Sequence, residues 1–238
     1  MARTTTGRPA VRLQDRVVIP AEAGEFSAFR CWTFSTDFPE SGRIDYLQGT
    51  IEVDMSPEEL QTHGSLKGRL YAYIDRVVTE ANLGQVFVDS TRLSCPEVGL
   101  SCEPDVLFIS LEALRSGRVR YVPLSTAQPQ RLVEIEGGAD LVVEVVSDSS
   151  VGKDTERLPP LYARAGVREL WIADGRRADL QFQIYHLRES QYRPAPVKGD
   201  GLQWSDVIGR WIRLRREGWE LPGTWRYFVD EAWGPVIE

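Results

Sequence analysis

Two acidic residues lie inside, or directly before, apolar runs of the chain. Glu144 interrupts the β-branched run Leu141–Val146, and Asp105 stands between Pro104 and the apolar run Val106–Ile109. An ionised carboxylate in such a strand is costly unless it is paired or binds a cation. Two carboxylates on neighbouring strands could hold Mg²⁺ (or Mn²⁺), a hard cation that takes oxygen ligands. An ion held there would polarise a phosphodiester and lower the pKa of a bound water.

Pattern alone leaves a structural alternative open. Asp105 would then cap a turn, and Glu144 would pair with a buried Arg or Lys. The chain has only two histidines, His63 and His186, which argues against a histidine-rich zinc site. Its three cysteines form no CxxC pair, so reduced thiols in a cytoplasm are the simplest interpretation.

The elements that would position Glu144 follow from the local pattern. Its strand is succeeded by a polar turn and by the short helix LPPLYARAG, which should end at Gly166. A second apolar strand, Glu169–Ala173, comes next. This strand–helix–strand order predicts a right-handed crossover within one sheet.

A hairpin and a long helix are predicted earlier in the chain. The segment 41–54 turns at Gln48-Gly49 and carries Asp45 on its first arm. Residues 60–81 have apolar side chains at helical spacing, which predicts an amphipathic helix with His63 near its start. The segment 84–93 predicts one strand, whereas 119–138 has a less regular pattern.

Composition bounds the class of protein. The chain has 238 residues, 42% hydrophobic and 26% charged, which suits one globular domain with an extension. Its net charge of −7 argues against sequence-blind coating of DNA, but leaves room for a local basic groove and for a carboxylate site. No apolar run reaches about 18 residues, so we expect no membrane span. The basic, polar start lacks a signal-peptide pattern, and we expect a cytoplasmic protein.

The predicted organisation is an N-terminal tail over 1–25, a main domain over 26–190 and a C-terminal extension over 191–238. The extension holds five of the seven tryptophans, and Arg210–Arg216 alternates like a strand. Basic and aromatic groups together could stack on and hold a nucleic-acid strand. The alternative is an edge strand with solvated arginines and aromatics that cap the core. We also predict a homodimer, with this aromatic stretch as its interface.

Four segments resemble one known family in order and spacing: IDYLQGTIEVDMSP, EPDVLF, DLVVEVVSDSS and LYARAGVRELWIAD. The region from about Ser41 to Leu187 resembles the Uma-type family of restriction endonucleases. That family belongs to the PD-(D/E)xK nuclease superfamily. The resemblance implies an α/β, restriction-endonuclease-like fold in which helices flank a mixed central sheet. It also implies Mg²⁺-dependent cleavage of DNA.

The resemblance assigns roles by matching position. Asp105 is the aspartate of the PD motif, and Glu144 is the acidic residue of the second half-motif. Asp45 falls where the family usually carries a glutamate, and would be a third acidic group that binds metal directly or through water. His63 matches a histidine that could touch phosphate or the attacking water. A surface or capping histidine is the equal alternative for His63.

One departure from the family bears on activity. The superfamily lysine would stand at Val146, and the family's displaced lysine would stand at Leu158. The candidates for its cationic role are therefore Lys153 and Arg157, although an arginine is a poor proton carrier. The alternative function is a catalytically weakened or inactive nuclease fold that binds DNA or a protein. A third possibility is a hydrolase of another phosphodiester.

Overall fold

The structure, a computed structural model, describes residues 17–39 and 41–234. Most of the predicted N-terminal tail lies outside the described residues. The α-helices within them are Phe26–Thr33 (α1), Ser65–Glu80 (α2), Leu111–Arg115 (α3) and Leu158–Ala165 (α4). Two π-helical turns, Leu60–Gly64 and Lys153–Arg157, run directly into α2 and α4. Short 3₁₀ turns are formed by Ala21–Gly24 and Pro96–Val98.

Strands account for most of the remaining described chain. They are, in order, Arg43–Leu47 (β1), Thr50–Asp54 (β2), Gly84–Val88 (β3), Arg92–Cys95 (β4), Leu100–Cys102 (β5), Val106–Ser110 (β6), Val119–Ser125 (β7), Gln128–Gly137 (β8), Leu141–Val145 (β9), Glu169–Asp174 (β10), Gln181–Arg188 (β11), Gln191–Pro194 (β12), Gln203–Ser205 (β13), Arg210–Gly218 (β14) and Trp225–Ala232 (β15). The predicted mixed α/β class is confirmed.

The strands form two six-stranded mixed sheets and a smaller third sheet. The inner sheet has the order β12-β11-β10-β9-β6-β3, and the front sheet has the order β2-β1-β5-β4-β8-β7. The C-terminal sheet has the order β13-β14-β15. The predicted crossover is present, because β9 and β10 pair in parallel and α4 lies between them in the chain. Gly166 ends α4 in the left-handed conformation that a helix C-cap favours.

Strand β9 divides the core into two halves. Val143 and Val145 belong to the cluster that includes the buried face of α2, whereas Val142 belongs to the cluster that includes residues of the front sheet and α4. Since alternate residues of a strand point to opposite faces, Glu144 points with Val142 toward the front sheet. Burial of each large side chain in these clusters contributes about 1.5–3 kcal/mol. The hydrophobic pattern of β9 therefore fixes the side of the sheet on which the carboxylate lies.

Three local predictions differ from the structure. Residues 119–138 form the β7–β8 hairpin rather than irregular chain, and their alternation is broken by register shifts around Pro123. The segment 84–93 is two elements, because Asp89 and Ser90 both adopt positive φ and end β3. Strand β14, expected at an edge, is the middle strand of the C-terminal sheet.

The C-terminal sheet is packed onto the rest of the protein. Ile212 and Tyr227 share one buried cluster with Leu66 and Leu70 of α2. The division into domains at residue 190 stays a prediction. No helix in the described ranges is long and apolar enough to cross a membrane.

We expect Gly84→Ala to destabilise the protein by about 1–3 kcal/mol, because overpacking forces backbone shifts. A Cβ at Gly84 would stand 2.1 Å from the carbonyl oxygen of Ile109 on β6. Gly68→Ala is the matched control, since nothing lies within 4 Å of a Cβ at that helical position. The control should be stabilised by up to ~1 kcal/mol. Urea unfolding measures both, and equal stabilities would contradict the close approach of β3 to β6.

Candidate functional site

The predicted acidic residues meet in the space between the inner and front sheets. Glu144 comes from β9, Asp105 directly precedes β6, and Asp45 reaches across from β1. Each is at most 1% exposed. Strands β6 and β9 pair antiparallel up to Val106 and Val143, so Asp105 and Glu144 follow as the next facing positions.

Asp105 is the most heavily paired of the three. Its Oδ1 accepts a hydrogen bond from the Arg43 guanidinium at 2.9 Å, and its Oδ2 accepts one from the Val145 backbone N–H at 2.7 Å. The Nε2 atom of His63 lies 3.5 Å from Oδ2. Burial alone would raise the pKa of Asp105, but the His63 hydrogen bond and the Arg43 charge outweigh burial and hold that pKa well below its usual range.

Glu144 has the opposite electrostatic character. Its Oε1 accepts a hydrogen bond from the Tyr162 hydroxyl, which also lies 3.4 Å from the Cys102 sulfur. Burial raises the pKa of Glu144 well above its ordinary value, and the nearby charges of Asp154 and Asp105 raise it further. Glu144 therefore lies in a region of the interior where negative charge exceeds positive charge.

Lys153 supplies a cation from the turn before α4. Its Nζ donates to Asp45 Oδ2 at 2.9 Å, and the other oxygen of Asp45 accepts the Glu103 backbone N–H at 3.1 Å. Burial lowers the pKa of Lys153, but the charges of Asp45 and Glu144 outweigh burial and leave that pKa above its ordinary value. The amine is therefore protonated at neutral pH.

The other candidate cation lies elsewhere. The Arg157 side chain is 52% exposed, and its guanidinium forms two hydrogen bonds with Glu52 at 2.7 and 2.9 Å. Leu158, which stands where the resemblance expects a lysine, is buried in the same hydrophobic cluster as Tyr162. The structure thus brings Lys153, and not Arg157, to the three carboxylates.

His63 is buried at the edge of the cluster rather than on the surface. Its Nδ1 lies 2.9 Å from Glu58 Oε1, and its Nε2 faces Asp105. Burial lowers the pKa of His63, but Asp105 and Glu58 outweigh burial and leave that pKa above its ordinary value. Lys67 extends this network, since its Nζ pairs with Glu58 and donates to Asp89 at 2.7 Å.

Sequence reasoning missed Arg43 and Asp154. Arg43 precedes Asp45 by two positions on β1, and that spacing, which puts both side chains on one face, was the available signal. The charges of Asp105, Glu144 and Asp45 all act on the Arg43 guanidinium. Asp154 is buried, accepts the Ser150 hydroxyl through Oδ2, and has no hydrogen-bond partner at Oδ1. Its position beside Lys153 in a polar turn gave no pattern that marks it as buried.

Two adjoining surface cavities border this cluster, and neither is lined by Asp105 or Glu144. One has a volume of about 400 Å³ and is lined by Asp45, Lys153 and Arg43 among others. The second has a volume of about 460 Å³ and is lined by His63, Lys67 and again Arg43. Arg43 therefore borders both cavities.

The donor set suits a divalent cation. Four buried acidic side chains, those of Asp45, Asp105, Glu144 and Asp154, face two cationic side chains, Arg43 and Lys153. The unpartnered Asp154 Oδ1 is a further oxygen without compensation. Within the described ranges, no group of three or more His, Cys, Asp or Glu side chains is arranged to hold an ion as it stands. A divalent ion would therefore have to bind beside Arg43 and Lys153 or displace them from the acidic side chains.

We expect Asp154→Asn to stabilise the metal-free protein at pH 7 and to leave its stability unchanged near pH 3. Burial raises the pKa of Asp154 from 3.8 to about 6. The folded state then binds a proton more tightly than the unfolded state, so this group's contribution to stability falls as pH rises through that window. The neutral amide removes the loss, which is roughly 1–3 kcal/mol.

Urea unfolding in EDTA between pH 3 and pH 7 measures the difference in the free energy of unfolding between Asp154→Asn and wild type. The expected outcome is a gap between variant and wild type that opens between about pH 4 and pH 6. A variant less stable than wild type at pH 7 would contradict the burial of an uncompensated carboxylate.

The comparisons with known proteins agree with this fold. The family model of Uma2, described as "Putative restriction endonuclease", matches residues 26–215. A crystal structure described as "a putative nuclease belonging to DUF820 from Anabaena variabilis" is similar in fold, with a TM-score of 0.50 and 13% identity over 69% of this chain and 82% of that chain. A search of curated proteins found no match. The chain belongs to the Uma2 family of restriction-endonuclease-like proteins.

Proposed function

We propose that the protein is a Mg²⁺-dependent endonuclease that hydrolyses phosphodiester bonds of DNA. The single observation that carries this proposal is the placement of Asp105 and Glu144 at facing positions of β6 and β9, buried together with Asp45. Of the three acids, Asp45 lines one of two adjoining surface cavities. Membership of a restriction-endonuclease family supports DNA as the substrate.

Asp105 and Glu144 would hold Mg²⁺ or Mn²⁺, with Asp45 as a third group that binds directly or through water. A bound ion would polarise the phosphodiester and lower the pKa of a water. The carboxylate of Asp105 is kept ionised by Arg43 and His63, so it is ready to act as a ligand at neutral pH. Glu144 would release its proton as the cation binds, since ligand carboxylates must be ionised.

Lys153 would stabilise the charge that develops on the phosphate oxygens. Its raised pKa keeps the amine protonated, which suits charge stabilisation and excludes proton abstraction at neutral pH. Arg43 borders both cavities and would share this role. His63, held by Glu58 and aimed at Asp105, would contact the phosphate or the attacking water.

A binding protein without activity is the second candidate. The observation that favours it is the pairing of Arg43 with Asp105 and of Lys153 with Asp45, which partly neutralises the carboxylates without any ion. Calorimetry with Mn²⁺ separates the two candidates. Tight binding that Asp105→Ala abolishes would argue against the second candidate, whereas absence of binding would favour it.

We expect the wild-type protein to nick supercoiled plasmid DNA with Mg²⁺ or Mn²⁺, and we expect Glu144→Ala to be inactive. Loss of this carboxylate removes a proposed ligand from the ion. Glu156→Ala is the matched control, because Glu156 is an exposed acid in the turn beside the site. Gel electrophoresis of the plasmid measures the rate.

Equal nicking by wild type and Glu144→Ala would refute the endonuclease proposal. Hydrolysis of small chromogenic phosphodiesters without nicking would instead identify a hydrolase of another phosphodiester. The predicted homodimer remains a prediction, and sedimentation of a monomer at micromolar concentration would contradict it.

We expect Lys153→Gln to lower kcat for nicking by about 10²–10³-fold, the usual effect of removing one charge-stabilising donor. Glutamine retains a neutral donor for Asp45 but removes the compensating charge, which lowers stability, so the rates are compared at a temperature at which the variant is folded. Arg157→Gln is the control and should leave kcat unchanged, because Arg157 pairs with Glu52 at the surface. Plasmid nicking at saturating Mg²⁺, with circular dichroism of both variants, checks this outcome. A larger loss from Arg157→Gln would reverse the assignment of the two cations.

A further inference from the structure

A surface groove with an unusual lining lies between α2 and β15. Its volume is about 480 Å³. Ser65, Gly68 and Arg69 of α2 contribute to one wall, and Trp219 together with Trp225 and Arg226 contributes to the other. We call this the basic-aromatic groove. No carboxylate is among its described lining residues, although the chain as a whole carries a net charge of −7.

The two arginines of the groove are available to a ligand. Arg69 and Arg226 are exposed, and neither forms an ion pair with the described part of the chain. The Arg226 guanidinium lies 5.0 Å from the ring centre of Trp219, which is itself 50% exposed. By contrast, Arg76 on the same helix is paired with Glu80 and Glu231. The groove thus combines free positive charge with exposed aromatic surface.

The aromatic walls are held in place by the surrounding structure. The Arg216 guanidinium lies 4.1 Å from the ring centre of Trp225 and donates to the backbone carbonyls of Gly175 and Ala178. The Trp219 backbone N–H donates to the carbonyl of Thr224 at 3.0 Å, which closes the turn between β14 and β15. The Trp225 ring, held by Arg216, loses little conformational freedom when a flat ligand stacks on it.

The groove adjoins the turn that carries His63. The backbone N–H of Trp225 donates to the Gln61 side chain at 3.0 Å, and Gln61 lies in the π-helical turn Leu60–Gly64. Ser65, which lines the groove, follows this turn directly. One wall of the groove lies outside the family match, because Trp219 and β15 follow residue 215, where that match ends.

We propose that the basic-aromatic groove binds single-stranded nucleic acid. Exposed aromatic rings stack on unpaired bases of any sequence, and unpaired guanidinium groups contact the phosphates. A complete duplex would fit less well, because its base faces are already stacked. The inference is independent of the proposed endonuclease activity, since this binding needs neither the divalent ion nor the buried carboxylates.

The test is fluorescence anisotropy of the full chain with a labelled oligothymidylate of about 16 nucleotides in excess EDTA. We expect saturable binding of the single strand and weaker binding of a duplex of the same length. Trp219→Ala should weaken binding about tenfold, the effect of losing one stacked base. Arg69→Gln combined with Arg226→Gln should reduce the slope of log K against log salt by about 1.4, because each phosphate contact on a single strand contributes about 0.7.

Trp233→Ala is the matched control. Trp233 is 72% exposed, and its ring centre lies 4.1 Å from the guanidinium of Arg210. Trp233 does not line the groove. The control should bind as wild type does. Equal weakening by both tryptophan variants, absence of single-strand binding, or preference for the duplex would overturn the proposal. Displacement of the labelled strand by polyglutamate as readily as by unlabelled oligothymidylate would also overturn the proposal, since a polyanion that lacks rings would then suffice.

An oligoadenylate in its ribose and deoxyribose forms distinguishes RNA from DNA as the ligand. Failure here is distinguishable from failure of the proposed function. Plasmid nicking without binding of oligothymidylate would support the endonuclease proposal and refute the proposal for the groove. Binding of the strand in EDTA without any nicking would support the proposal for the groove and refute the endonuclease proposal.

Discussion

The ion pairs that join Arg43 to Asp105 and Lys153 to Asp45 are the constraint on which this structure depends. Arg43 holds Asp105 at 2.9 Å and Lys153 holds Asp45 at 2.9 Å, in an interior where an isolated charge costs several kcal/mol. Removing either cation would leave a carboxylate uncompensated, which is typically more harmful than never having buried the pair. The acids can therefore lie between two sheets only because the chain supplies their partners.

These same pairs join elements that are distant in sequence. Arg43 belongs to the front sheet and Asp105 to the inner sheet, so their contact links the two layers. Lys153 links the turn before α4 to β1. The charges to which we assign phosphodiester chemistry thus also form contacts between the two sheets.

How far the sequence predicted this arrangement depends on the kind of signal. Apolar runs interrupted by acids located β6, β9 and their carboxylates, because burial of a charge in a strand is a local pattern. The crossover between β9 and β10 and the end of α4 at Gly166 were predicted from the local strand and helix patterns. Arg43 was missed because its spacing from Asp45 does not reveal its pairing with Asp105, which the fold creates. Asp154 was missed because no local pattern marks a residue of a polar turn as buried. The β7–β8 hairpin was missed because Pro123 and the adjacent register shifts break the alternation that marks a strand.

Two of the site's side chains come from π-helical turns, His63 from Leu60–Gly64 and Lys153 from Lys153–Arg157. Such a turn holds one residue more than the α-helical turn into which it would otherwise relax. Deleting one residue would let either helix continue regularly, while the residues before it would rotate by about 100° about the helix axis. The hydrophobic faces of α2 and α4 would be untouched. A change of one residue in chain length at either turn would therefore reorient His63 or Lys153 while leaving the core and the acidic residues the same.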